Sequence, residues 1–322
     1  MSTPQPEDQS AVENLVDDVA ESRVAAYGPE SVWPDEPEPS TSDRRRGRRG
    51  LPPWAFTLIG LLIAMIYLIP IYWMVVTSLK EAGDVFASPP DLWPNPVSGQ
   101  AYKATLVDDP AVLQGIRSSL IITIPTLVLT LLLGVPAAYG LARLRFRFTW
   151  LLLLLMLVAQ MLPSVSVALP LFAIFSENGL VDTYPGLVIA NLSVTLPFAI
   201  VLVRPYMLAI PGSLIEAARI DGCTSWQAFV RIGIPQVVPG LIMVSTLTFV
   251  TTWGEFVFGL TLATSDQLQP ITVVLNRFVA QFGTRWADLM AVSTVVALPI
   301  IVLFVLLQRY VVAGISSGAV KD

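Results

Sequence analysis

Six runs of this chain contain no charged residue over a length that can cross a bilayer: 51–79, 118–142, 148–176, 183–203, 232–254 and 289–308. A hydrocarbon core about 30 Å thick takes roughly 20 apolar residues of helix. Backbone N–H and C=O groups in lipid must be satisfied within the structure itself, which leaves helices and closed barrels. The runs are rich in Leu, Ile and Val and lack the alternation of a barrel strand. The expectation is an all-α membrane protein with about six transmembrane helices, at about 54–79, 118–142, 149–176, 184–208, 236–262 and 287–310. Composition agrees: 13 % of the 322 residues are charged, about half of what a soluble domain carries.

The same composition removes whole classes of chemistry. There is no histidine, and Cys223 is the only cysteine. Internal disulfides, Ser-His-Asp and Cys-His nucleophiles, histidine-bound zinc and histidine proton relays are therefore excluded. The net charge of −5 mostly reflects the first 50 residues, an acidic, Pro- and Ser-rich leader that ends in an arginine cluster. Apart from a short possible helix at 11–26, that leader has too little apolar surface to offset ordering and is expected to be disordered. It is not a secretory signal, because the first apolar run begins only at Leu51. The transmembrane domain is expected over 51–322.

Basic residues set the orientation. Arg44, Arg45, Arg46, Arg48 and Arg49 precede the first span, Arg143, Arg145 and Arg147 follow the second, and Arg204, Arg219 and Arg231 flank the connection after the fourth. Arg309 and Lys321 follow the sixth, whereas the opposite loops hold only Lys80, Lys103, Arg117, Arg277 and Arg285. The positive-inside bias places both termini of a multi-pass membrane protein in the cytoplasm. The leader arginines read as anchors on anionic membrane lipid rather than as a nucleic-acid site.

Two connections are too long to be turns: an outer one from Lys80 to Arg117, and a cytoplasmic one over 211–235. In the second, Pro211 and Gly212 stop a span. Ser213 with Glu216 has the spacing of a capping box, which predicts a helix starting at Ser213. Gly222 fits the left-handed position that closes a helix. Thr224 with Gln227 repeats the capping pattern, and Trp226, Phe229, Val230 and Ile234 are expected on roughly one side of a second short helix. Pro235 and Pro239 lead back into the membrane. The product is a helix–turn–helix joined to two spans, with an apolar face in need of a partner.

The run Glu216-Ala217-Ala218-Arg219-Ile220-Asp221-Gly222, with a distal Ile234-Pro235, resembles the EAA coupling loop of the membrane subunits of binding-protein-dependent ABC importers. The wording is similar to the carbohydrate, MalG-like branch of that family. Trp253-Gly254-Glu255-Phe256 is similar to the branch's Trp-Asn-Glu-Phe, with Gly254 in place of Asn. Gly314 to Lys321 is similar to its Gly-x-x-x-Gly-Gly-Val-Lys ending, with Ala319 in place of the second Gly. The resemblance covers about residues 50–322 and implies an ABC importer permease fold (MetI/MalG-like) with a cytoplasmic coupling helix. It implies that Glu216, Ala217, Ala218, Asp221, Gly222, Trp226 and Pro235 couple to a cytoplasmic ATPase subunit, and that the tail residues Gly318, Ala319, Val320 and Lys321 reach it too. It further implies a second, MalF-like permease, two ATPase subunits, an extracytoplasmic sugar-binding protein and a carbohydrate cargo. Trehalose or another α-glucoside is the narrower expectation.

No Walker A pattern occurs. The chain is thus expected to be no enzyme and to bind no cofactor, with ATP and magnesium held by the partner ATPase. Polar residues inside the spans tend to face a bundle interior or a water-filled path. Gln160, Asn191, Thr252, Trp253, Glu255 and Phe256 are the candidates for a translocation pathway or gate. Two readings stand for Glu255, an outer gate or a place in the aromatic belt at the lipid–water boundary. A secondary transporter would need mid-span carboxylates or matching broken helices in two halves, and an intramembrane enzyme would need catalytic pairs. The sequence displays neither.

Overall fold

The computed structural model describes residues 52–144, 147–280 and 283–319; the leader, its arginine cluster, Arg145, Val320 and Lys321 lie outside the described residues. Residues 1–66 and 67–322 separate into two units, and the packing described here is that of 67–322. Helix α1 (Pro53–Ser78) is followed by a long connection. Helix α2 (Pro110–Arg143) then begins on an Asp109 cap, whose carboxylate accepts from the Ala111 N–H at 2.9 Å. Next come α3 (Thr149–Gln160), α4 (Ser164–Glu177) and α5 (Tyr184–Ala209). Two short helices follow, α6 (Gly212–Ile220) and α7 (Ser225–Ala228), and then α8 (Val238–Trp253) and α9 (Val257–Leu262). Helix α10 (Ile271–Asn276), a hairpin of β1 (Val279–Ala280) against β2 (Gly283–Thr284), and α11 (Trp286–Ala319) complete the chain.

Helices α1, α2, α5 and α11 are each long and apolar enough to cross a membrane, and two bent pairs raise the number to as many as six among the described residues. The stretch 149–176, expected as one span, is broken: α3 and α4 meet at 100°. Pro163 explains the break, since its ring disfavours helical backbone at Leu162 and it has no N–H to donate. The stretch 236–262 is broken as well. The chain bends by 77° where 225–236 meets α8, and three residues separate the end of α8 at Trp253 from the start of α9 at Val257. Helix α2 is longer than expected, at 34 residues. That is about 51 Å at 1.5 Å per residue, so it outreaches a hydrocarbon core of about 30 Å.

Helix α2 packs along α5, and α8 packs against α2, α5 and α11. One buried cluster joins Val135 and Ala138 of α2, Ala199, Val203 and Met207 of α5, and Val244 of α8. A second holds Ile122, Phe175, Leu187 and Phe258; a third holds Val112, Phe249, Trp253, Ile271 and Val292. Helix α3 buries none of its residues. Its outward leucines are what a hydrocarbon phase covers, not a soluble surface. Close approach is built in where α9 meets the loop before α10: a Cβ at Gly259 would come within 2.4 Å of Pro270 Cγ.

The turn between α4 and α5 ties these helices to the end of α9 and the segment after it. Asp182 adopts φ 58°, donates its N–H to Leu262 O at 2.8 Å and accepts from the Ser265 N–H at 2.8 Å. Burial alone would raise its pKa, but hydrogen bonds from Ser265 and Thr264 outweigh that and hold the carboxylate below its ordinary value. A lowered pKa stabilises the fold fully above the unfolded value of about 3.9, and the contribution is lost as pH falls through the folded value. Thermal melts of the detergent-solubilised chain should therefore show wild type above Asp182→Asn at pH 6, with the gap closing as pH falls below about 4. A gap that stays constant across that range contradicts this assignment.

Candidate functional site

The connection 211–235 folds from its own short-range signals. Helix α6 is closed by Gly222 at φ +86°. The Cys223 N–H donates to Ala218 O at 2.9 Å and the Gly222 N–H to Arg219 O at 3.1 Å. That pair of bonds is a Schellman closure, which needs a left-handed residue at this position. Thr224 and Gln227 form the expected capping box, with the Gln227 N–H on Thr224 Oγ1 at 3.2 Å and the Thr224 N–H on Gln227 Oε1 at 2.9 Å. The capping box expected at Ser213 does not form. Extended Pro211 (φ −57°, ψ 132°) starts α6 one residue earlier and its N-cap makes no side-chain bond, so Ser213 lies inside the first turn.

The second helix also departs from expectation. After α7 the chain makes a π-turn over Phe229–Gly233, whose extra residue breaks the 3.6-residue register. Phe229 is buried and Ile234 partly so, whereas Trp226 and Val230 are exposed, so the four are not buried together as one apolar face. Phe229, at 2 % exposure, enters the same core cluster as α2, α5 and α8, together with Ile210 and Val237 from the two ends of the connection. Its ring lies 4.6 Å from that of Tyr139 on α2 and 5.2 Å from that of Trp226. Two arginines tie the same region together: Arg143 donates to the Ile210 carbonyl, and Arg204 Nε to the Leu141 carbonyl at 3.3 Å. These contacts were not foreseen. The sequence presents the arginines as topology signals, and nothing in it reports that the end of α2 meets this loop.

The connection thus has two faces. Ala218 is buried and points inward, while Glu216, Ala217, Asp221, Gly222, Trp226 and Pro235 are exposed. Ile220, apolar and 87 % exposed, and Leu214 lie among the exposed residues too. Gly318 and Ala319 fall in the final turns of α11.

The intramembrane candidates divide. Asn191, Thr252 and Glu255 line one small depression with Ser119, Gly259 and Pro270. Glu255 lies in the break between α8 and α9, half-buried. Its carboxylate accepts from the Phe258 N–H at 2.7 Å and the Gly259 N–H at 3.1 Å, capping α9, while its carbonyl accepts from Thr272 Oγ1 at 2.6 Å. Trp253 is a core residue, 2 % exposed, with its indole N–H on Val296 O at 3.2 Å. Gln160 is elsewhere, donating to Val194 O at 2.8 Å, and Phe256 is the N-cap residue of α9. Buried Thr252 Oγ1 and Thr248 Oγ1 on α8, and Thr123 Oγ1 on α2, have no hydrogen-bond partner among the described residues. Each such orphan costs about 1–3 kcal/mol.

The sequence profile of the family described as "Binding-protein-dependent transport system inner membrane component" matches residues 130–317. The chain is 32 % identical to the diacetylchitobiose uptake system permease protein DasC of Streptomyces coelicolor, over 82 % of this chain and 95 % of that one. It is 33 % identical to the trehalose transport system permease protein SugB of Mycobacterium tuberculosis, over 85 % of this chain and 99 % of that one. A solved bacterial ABC transporter that imports the acidic polysaccharide alginate has a chain of similar fold, with a TM-score of 0.69 at 22 % identity, covering 84 % of this chain and 98 % of that one.

Gly222→Val should strain a backbone held at φ +86° by about 1–2 kcal/mol and open the Schellman closure. Limited trypsin digestion in detergent should then cut at Arg219 several-fold faster than in wild type. An unchanged rate would mean the closure does not hold the loop.

Proposed function

The chain belongs to the family of binding-protein-dependent transport system inner membrane components, and on that premise we propose that it is the permease subunit of an ATP-driven importer of a di- or oligosaccharide. The observation that carries the reading is the two-faced connection 211–235. Phe229, Ile210 and Val237 seat it in the core shared by α2, α5 and α8, while Glu216 and Ala217 of its EAA motif remain exposed. A partner that moves the exposed face moves three spans with it, because a close-packed core transmits displacement rather than absorbing it.

That partner is an ATPase subunit, which binds the ATP and magnesium. Glu216, Ala217, Asp221, Gly222, Trp226 and Pro235 meet it, with the inward Ala218 allowing close helix packing, and the tail from Gly318 to Lys321 adds a second contact. A MalF-like permease completes the membrane unit, and an extracytoplasmic binding protein delivers the sugar. Both termini are cytoplasmic in this reading, which the distribution of arginine supports. The carbohydrate class is supported by relatives whose names specify diacetylchitobiose and trehalose; trehalose or another α-glucoside is the narrower proposal.

Asn191, Thr252 and Glu255 form the pathway side of this subunit. The Thr252 hydroxyl, orphaned in the described state, gains a partner when the depression it lines opens to water or to a hydroxylated solute. Glu255, by capping α9, fixes the break beside it, and the expected role is a gate hinge.

Glu216→Lys should leave the second permease bound on affinity purification from mild detergent but release the ATPase subunit, and uptake of labelled disaccharide by cells should fall at least tenfold. Retention of the ATPase with uptake intact would show that the exposed EAA face is not where coupling occurs.

A further inference from the structure

Beside the connection 211–235 lies an apolar groove of ≈ 250 Å³, walled by Pro136, Tyr139 and Leu144 on one side and by Trp226 and Phe229 on the other. Arg143 is the charged residue of its wall. The guanidinium donates to the Ile210 carbonyl, but its Nε is buried without a hydrogen-bond partner. No carboxylate pairs with Arg143 among the described residues, whose ion pairs are Arg277–Asp266 and Arg285–Asp288. A partly buried positive charge in apolar surroundings is unfavourable until an anion or a set of acceptors completes it.

The place of the groove identifies what completes it. Arg143 and Leu144 mark the end of α2, where a span leaves the hydrocarbon, and Tyr139 and Trp226 are the aromatic types that settle at headgroup level. Leu144 is 71 % and Trp226 63 % exposed, so the apolar walls are open from outside. Arg147 follows α2 in the chain, Arg204 near the end of α5 donates to the Leu141 carbonyl of α2, and the connection 211–235 itself carries Arg219 and Arg231 along with Glu216 and Asp221. Basic pockets between membrane helices on that side suit anionic headgroups. We propose that the groove binds one anionic phospholipid, with its phosphate on Arg143 and the start of an acyl chain against Tyr139, Trp226 and Phe229. The lipid then bridges α2 and the coupling connection, which makes coupling depend on anionic lipid. That dependence rests on the importer reading; binding itself does not.

The full-length chain, purified in mild detergent, would be mixed with equal amounts of dioleoylphosphatidylglycerol and dioleoylphosphatidylcholine and the retained lipids counted by native mass spectrometry. Wild type should keep one phosphatidylglycerol that Leu144→Glu and Arg143→Gln lose at least tenfold, and Arg143→Lys should keep part of it. Leu144→Glu places a carboxylate at the groove mouth without touching the Arg143–Ile210 link, so it decides the matter even where Arg143→Gln fails to fold. Equal retention of both lipids, no lipid on wild type, or the same retention in Leu144→Glu would overturn the site; the last two outcomes would leave the groove to a protein partner. Failure of this readout leaves the importer reading standing. Absence of disaccharide uptake by wild type whose chain retains the lipid counts against the importer reading alone.

Discussion

Burial of Phe229 is the interaction on which the account turns. One aromatic ring from a connection outside the spans enters a core built from α2, α5 and α8, beside Tyr139. Truncating a buried phenylalanine to alanine typically costs about 3–5 kcal/mol, a large share of any domain's net stability. Without that seat the connection would be a tethered hairpin, able to bind a partner but not to pass a displacement inward. With it, the exposed EAA residues and the membrane core belong to one packed body. The Arg143–Ile210 and Arg204–Leu141 links brace the same junction from the span ends.

The breaks in the helices follow a similar logic. A single straight helix through 236–262 would bury no special polar group and create no depression. Ending α8 at Trp253 frees backbone N–H groups at the start of α9, and Glu255 satisfies two of them. The carboxylate is there because an interrupted helix in an apolar setting must find acceptors for its first N–H groups. The depression with Asn191 and Thr252 is the by-product, and it is the polar recess from which a pathway can be argued.

Much of this was legible in the residues. Long uncharged runs fixed the class, Gly222 and the Thr224–Gln227 pair forecast their own geometry, and the EAA, Trp-Gly-Glu-Phe and C-terminal motifs pointed to the family. What failed depended on competition between local signals or on tertiary packing. Ser213 and Glu216 had capping spacing, but Pro211 started the helix first. Trp226, Phe229, Val230 and Ile234 had a helical period, but a π-turn intervened, and no residue in that run announces one. The stretch 149–176 read as one span, but at Pro163 the chain turns by 100°; sequence shows where hydrogen bonds are lost and not how far neighbouring packing lets the helix swing. The junction of α2 with the loop spans 67 residues from Arg143 to Ile210, and periodicity carries no information over that distance.

The central claim is that the exposed face of 211–235 is the contact through which a nucleotide-hydrolysing partner moves the spans. Its most direct test uses the chain's lone cysteine. In a Cys223→Ser background, a benzophenone maleimide would be placed at Ile220→Cys, 87 % exposed on that face, or at Leu260→Cys, 53 % exposed on α9, and cross-linked in native membranes. The account predicts an adduct of the Ile220→Cys chain with an ATPase subunit, strengthened or weakened by ATP, and none from Leu260→Cys. Labelling of lipid alone from Ile220→Cys, or equal ATPase adducts from both positions, would contradict it.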